Sequence, residues 1–214
     1  MRSLSATKAI WLCVTIRSVN PKRIEMQSLF CAVAMLRVEG AAPPSRSVRM
    51  KKVLILGASG GIGSAVAEAC RARGDEVTAL SRRDHGFDIT NADCVSAHLA
   101  SAPAPFDIVL VATGALEVGG AVPEKTIKSL TAEAMMDQFA VNAIGPALVL
   151  RHMGDLLARE RAGVIAILSA RVGSIGDNRI GGWISYRSAK AAVNQVVKTA
   201  SIELARTHKQ AALV

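Results

Sequence analysis

The stretch that most constrains this chain is Lys51 to Gly63, KKVLILGASGGIG. Val53, Leu54, Ile55 and Leu56 form a continuous apolar run, the pattern of a parallel strand covered on both faces. Gly57, Gly60, Gly61 and Gly63 then clear side chains from a turn into an amphipathic segment. Backbone N–H groups and the positive end of a following helix can approach a pyrophosphate there. The spacing Gly57-x-x-x-Gly61-x-Gly63 is neither the G-x-G-x-x-G fingerprint nor a P-loop ending in Gly-Lys-Ser/Thr. Taken alone it fits a phosphate cradle or a tight βα turn without ligand, and later residues must decide.

A chain of 214 residues holds one sizeable α/β domain, or one with an appendage. Half the residues are hydrophobic but only 3% aromatic, so Ala, Val, Ile and Leu must build the core. Of the net charge of +9, +6 falls in residues 1–49, where eight Lys/Arg meet two Glu. The remaining domain is only modestly basic and lacks the interleaved aromatics of a single-strand binder, which argues against nucleic acid. Cys13, Cys31, Cys70 and Cys94 have neither metal-ligand spacing nor a paired framework and read as reduced thiols of a cytoplasmic protein; the dispersed histidines imply no metal site.

Residues 1–49 read as an extension unrelated to a dinucleotide-type domain at 50–214. Their two apolar patches, Ala9 to Ile16 and Leu29 to Leu36, are far too short to span a bilayer, and no membrane association is expected. A Gly/Pro/Ser linker at 40–45 precedes Met50, which is expected to be the natural start. Beyond the glycine turn, a helix over Ile62 to Arg73 ending near Gly74 and a strand over Glu76 to Ser81 complete a right-handed βαβ unit. Ser81, Arg82 and Arg83 then stand where an acid would favour NAD and an arginine accommodates a 2′-phosphate, so NADP is expected over NAD.

A run His85 to Thr90, through Asp88, leads to a helix at Asn91 to Ser101, and Phe106 to Ala112 reads as a buried strand. Thr113-Gly114 follows on the ligand-binding edge. Thr131 opens a long helical pattern to about Arg159, interrupted on its apolar face by Asn142 and expected to distort at Gly145-Pro146. Gly163 to Leu168 is the next strand, ending in Ser169-Ala170, and a loop over Arg171 to Gly182 leads to a helix from Trp183 to about Arg206. The chain stops at Val214 in what reads as the opening of another strand.

Tyr186 and Lys190 are i and i+4 on one helix face. A phenol with an ordinary pKa near 10 serves as acid or base near neutrality only when a cation favours its ionised form, and Lys190 is placed to supply that charge. Tyr186 would protonate a carbonyl oxygen during hydride delivery, with a serine from the preceding strand end holding the same oxygen.

GASGGIG, Arg82, VNAIGP around Asn142, and YRSAK at Tyr186 to Lys190 together resemble the classical short-chain dehydrogenase/reductases. The stretch SARVGSIGDNRIGGWISYRSAK is most similar to their C-factor-like and sniffer-like carbonyl reductases. The resemblance implies a Rossmann-type, doubly wound parallel sheet in an α/β/α sandwich, a small carbonyl or alcohol substrate, and a homodimer through the two long helices. It implies a catalytic set of Asn142, Ser169, Tyr186 and Lys190, with Ser174 an alternative to Ser169. The implied cofactor contacts are Gly57, Ser59, Gly60, Gly61, Ile62, Gly63, Arg82, Asp88, Ala112 and Gly114, with Tyr186 and Lys190 shared between the two sets. The chain departs from the family at Leu56, where Thr is common, at Val111-Ala112-Thr113-Gly114, where Asn-Asn-Ala-Gly is common, and at Ser169-Ala170, where Ser-Ser is common. Members also continue through a sixth strand, a Pro-Gly segment, a substrate loop and a seventh strand, so the resemblance implies a fold cut short after Val214 and a role as an impaired, nucleotide-binding or signalling remnant as its alternative.

Overall fold

The computed structural model describes residues 49–214; the expectations for the first 48 residues lie outside it. Five parallel strands form one sheet in the order β2-β1-β3-β4-β5: β1 Lys52–Leu56, β2 Glu76–Leu80, β3 Ile108–Val111, β4 Gly163–Ile167 and β5 Ala211–Leu213. Helices α1 Gly61–Ala72, α2 Ala92–Ser101, α3 Ala132–Phe139, α4 Gly145–Leu150 and α5 Ile184–Thr207 supply the crossovers. β1 sits between β2 and β3, so the chain reverses its direction of travel across the sheet beside the C-terminal end of β1. Open α/β sheets bind ligands at such a reversal.

Alternation along the strands separates two cores. Leu54, Leu56, Val109, Val111, Ile165 and Ile167 pack with Val95, Leu99, Val149, Leu150, Val193 and Leu204 from α2, α4 and α5. Val53, Ile55, Leu110 and Ala166 face the other way, onto Val66, Ala67 and Cys70 of α1. With both faces covered, Val53 through Leu56 are wholly buried, which is why they read as an unbroken apolar run.

The structure adds one short turn, corrects two local expectations and bears out a third. Residues 82–85 form a short helical turn, capped by the Ser81 hydroxyl accepting from the Asp84 N–H. The predicted strand at 106–112 contracts to Ile108–Val111, because Phe106 instead bridges to Leu157 and donates its N–H to Leu156 O at 2.8 Å. The helix expected to run to Arg159 is interrupted by a π segment at Ala140–Ile144, and α4 stops at Leu150. Pro146 has no N–H to give back to residue 142, which breaks the regular ladder where Gly145-Pro146 predicted it. The last residues do begin a further strand, since Gly163 pairs with Ala211 and Ile165 with Leu213. Among the described residues no helix is long and apolar enough to cross a membrane.

Leu54 lies wholly buried at the centre of the larger core, whereas Ile127 is 66% exposed. Urea denaturation should show Leu54→Ala losing about 3–5 kcal/mol and Ile127→Ala changing stability by less than about 0.5 kcal/mol. Equal effects would contradict this partition of the core.

Candidate active site

The glycine turn fits a bound phosphate on three observations. Gly57 has φ +89°, and a Cβ there would meet Thr113 N at 2.9 Å; a Cβ on Gly63 would stand 2.3 Å from Gly57 O. These two glycines let β1, β3 and α1 converge. Gly61 has open space where a Cβ would stand, and no side chain caps α1 and no acid occupies its first turn. Its leading N–H groups, beside Ile62, are left for an outside acceptor of negative charge. The buried Thr113 hydroxyl, on the opposite lip, also has no hydrogen-bond partner. Ser59 is half-buried in the turn, Gly60 N–H donates to Gly57 O at 3.1 Å, and Ala112 N–H donates to Leu56 O at 2.8 Å.

At the end of β2 the two arginines differ. Arg83 pairs with Asp84 at 2.9 Å, and Asp84 also accepts from the Ser81 hydroxyl at 2.8 Å. Hydrogen bonds from Arg83 and Ser81 hold the Asp84 carboxyl below its ordinary value. The nearest acid is therefore engaged within its own turn, while exposed Arg82 makes no ion pair among the described residues. Asp88 accepts from the Thr90 hydroxyl at 2.7 Å and its N–H at 2.9 Å, which keeps its carboxyl low; it shapes the entry to α2.

Around α5 the structure brings Asn142, Gly114, Tyr186 and Lys190 together. Lys190 is only 3% exposed and donates from Nζ to Leu168 O at 3.0 Å, at the end of β4. Its Nζ lies 5.8 Å from the centre of the Tyr186 ring. Gly114 has φ +146°, and a Cβ there would crowd Lys190 Nζ at 3.1 Å and Asn142 Oδ1 at 3.0 Å, so a side chain is disfavoured at this position. Asn142 is fully buried, accepts from Ala115 N–H at 3.2 Å and donates to Ala115 O at 2.9 Å. Its amide also donates to Gln138 Oε1 at 2.7 Å, and Gln138 donates to Leu116 O at 2.7 Å. Gln138 was not anticipated, although its place four residues before Asn142 on a helix was the available signal. Ser169 is exposed just beyond Leu168 and Ser174 is half-buried in the following loop.

The expected lowering of the phenol is corrected. Burial alone pushes Tyr186 above its ordinary value, and burial lowers Lys190 to about 8. Each charged form loses water in this pocket, and that loss sets the direction of both shifts.

With this geometry in hand, comparison with known proteins is decisive. The model of the short chain dehydrogenases matches residues 86–211. The chain belongs to that family. It is 31% identical over 159 residues to 1-hydroxy-2-glutathionyl-2-methyl-3-butene dehydrogenase of a Rhodococcus species, covering 69% of this chain and 68% of that protein. A shorter segment of 70 residues is 36% identical to the C-signal protein of Myxococcus xanthus, over 33% of this chain and 42% of that one. Among solved structures, a short-chain dehydrogenase/reductase of Burkholderia multivorans with bound NADP superposes with a TM-score of 0.61 at 27% identity, over 74% of this chain and 75% of its own. A carbonyl reductase of Pseudomonas aeruginosa gives 0.62 at 26%, over 72% and 77%.

In the cofactor-free protein the Lys190 shift has a definite sign. The unfolded chain keeps this proton up to its ordinary value near 10.5, while the folded chain releases it at about 8. The unfolded state thus binds more protons in between, and stability must rise with pH from about 8 towards 10. The Lys190 contribution is on the order of 3 kcal/mol across that window, and Lys190→Met should flatten the slope in denaturation series. Parallel slopes for both proteins would contradict the burial of this ammonium.

Proposed function

We propose that this short-chain dehydrogenase is an NADP-dependent carbonyl reductase, running as an alcohol dehydrogenase in reverse, with Tyr186 as its acid/base. The observation that carries the reading is the placement of the Tyr186–Lys190 pair beside Gly114 and Leu168, at the strand ends that also present the glycine turn. The N–H groups at Gly61 to Gly63 would hold the diphosphate, the Thr113 hydroxyl an adjacent oxygen, and Arg82 the 2′-phosphate. When bound, the reduced nicotinamide supplies a hydride.

The chain itself handles the proton. Tyr186 donates its hydroxyl proton to the carbonyl oxygen as the carbonyl carbon is reduced, leaving a phenolate. A phenol kept protonated by burial is the form in which such an acid begins, and the neighbouring Lys190 charge stabilises the phenolate that it becomes. Ser169, with Ser174 as the alternative, holds the same oxygen. The remaining Lys190 donors hold the nicotinamide ribose. Asn142, pinned on both sides by Ala115 and Gln138, fixes the helix beside Lys190 and orders a water through which the phenol regains its proton.

A second reading, a signalling protein that binds nucleotide without turnover, is favoured by the segment shared with the C-signal protein. NADPH oxidation with a panel of aldehydes and ketones separates the two. The reductase reading predicts turnover that Tyr186→Phe lowers by about 100-fold or more while NADPH binding stays within about twofold of the parent. It also predicts that Arg82→Ser weakens NADPH by at least about tenfold, on the order of 1.4 kcal/mol, with NADH little changed. NADPH binding without oxidation by either protein would favour the second reading.

A further inference from the structure

The connection between β3 and α3 reaches across the molecule to grip the start of the catalytic helix. Glu124 is only 7% exposed and Ser185, the residue before Tyr186, is 1% exposed. The Glu124 carboxylate accepts from the Ser185 hydroxyl in a short bond and from the Ser185 N–H at 3.3 Å. Its main-chain carbonyl accepts the Trp183 N–H at 2.5 Å. The α5 N-terminus has no side-chain cap of its own, and the backbone enters it through three left-handed residues, Gly181 at φ +70°, Gly182 at +66° and Trp183 at +51°. A non-glycine residue in that conformation persists only when its surroundings hold it. A Cβ on Gly182 would meet Glu124 O at 3.3 Å, so the two segments touch along their length.

The helix end therefore takes its cap from a residue 61 positions earlier. Burial works to raise the Glu124 carboxyl, but hydrogen bonds from Ser185 and from the Ile184 and Ser185 N–H groups hold it below its ordinary value. It remains a carboxylate at the positive end of a helix, where negative charge is stabilising. Tyr186 is in the same turn, its ring edge-on to Trp183 at 6.5 Å and its centre 5.8 Å from Lys190 Nζ.

We infer that Glu124 is a positioning residue for the proton donor: its carboxylate, acting through Ser185, holds the first turn of α5 so that the half-buried Tyr186 ring stays beside Lys190, whose Nζ lies 5.8 Å from its centre. This rests on the reductase reading for its catalytic consequence but not for its structural one. The carboxylate touches neither the phenol nor the reacting atoms. Its loss should damage proton transfer while leaving the glycine turn, and so cofactor binding, intact.

Tyr186 is the chain's only tyrosine, so the near-ultraviolet change on phenol ionisation reports on it alone. In the full chain, Glu124→Ala should lower the Tyr186 titration midpoint towards that of a solvated phenol, because burial is what raises it. Glu124→Gln, which keeps one acceptor oxygen, should fall between the two. With a carbonyl substrate, Glu124→Ala should lower kcat by about tenfold or more, leaving the NADPH dissociation constant within about twofold. Should Glu124→Ala fail to fold, Ser185→Ala removes one bond and should shift the midpoint in the same direction. An unchanged Tyr186 midpoint in the folded variant, or a parallel loss of NADPH affinity, overturns the proposal. Tyr186→Phe is the control: if it turns over like the parent, the reductase reading fails, whereas an inactive Tyr186→Phe beside an unaffected Glu124→Ala sinks the Glu124 role alone.

Discussion

The ammonium of Lys190 is almost wholly removed from water, and a charge in that position is stable only where polar groups have been arranged to meet it. One donor reaches Leu168 O at the end of β4. The packing that permits this is made of glycines: a Cβ at Gly114 would press on the ammonium, and one at Gly173 would meet the Lys190 backbone at 2.8 Å. The bare backbone at Gly173 lets helix α5 approach this closely, and the one at Gly114 leaves room for the ammonium. The buried cation, the end of β4, the Gly114 loop and the Asn142 amide form one assembly whose members constrain one another.

The same economy of side chains operates at the other side of the sheet reversal. Gly57 and Gly63 admit close backbone approach, Gly61 leaves space, and the result is a helix N-terminus with donors pointing outward. The strand order places this donor set and the Tyr186–Lys190 pair on one edge without any contact between them having to be specified in the sequence. At the end of β2 the Asp84 carboxylate is engaged by Arg83 and Ser81, while Arg82 is exposed. Burial raises the Tyr186 phenol and lowers Lys190 to about 8, so the pair rests as a protonated phenol beside a buried ammonium.

Much of this was legible before the fold was known, for reasons that are local. The buried strands announced themselves as apolar runs, and α2 and α3 begin where Asn91 and Thr131 provide caps. Asn142 on an apolar face followed by Gly145-Pro146 foretold a distortion, which takes the form of a π segment just before that pair, at Ala140–Ile144. Tyr186 and Lys190 needed only helical spacing. What escaped was set by long-range packing. The direction of the phenol shift depends on how much water the assembled pocket excludes, which spacing does not encode. The Glu124–Ser185 bond joins a loop to a helix 61 residues away, and nothing around Glu124 distinguishes it from a solvated loop acid. Phe106 and Leu157 left their predicted strand and helix to pair with each other, a tertiary preference overriding local pattern.

The central claim is that a nicotinamide, when its diphosphate rests on the glycine turn, lies against the Tyr186 phenol. Ring-labelled tyrosine gives a single carbon resonance in this one-tyrosine chain, and its pH titration can be followed with and without saturating NADP⁺. The positive charge of the oxidised nicotinamide should lower the Tyr186 midpoint relative to the cofactor-free protein, and NADPH, with a neutral ring, should lower it less. A midpoint that saturating NADP⁺ leaves where it was would place the ring away from the phenol and contradict the account.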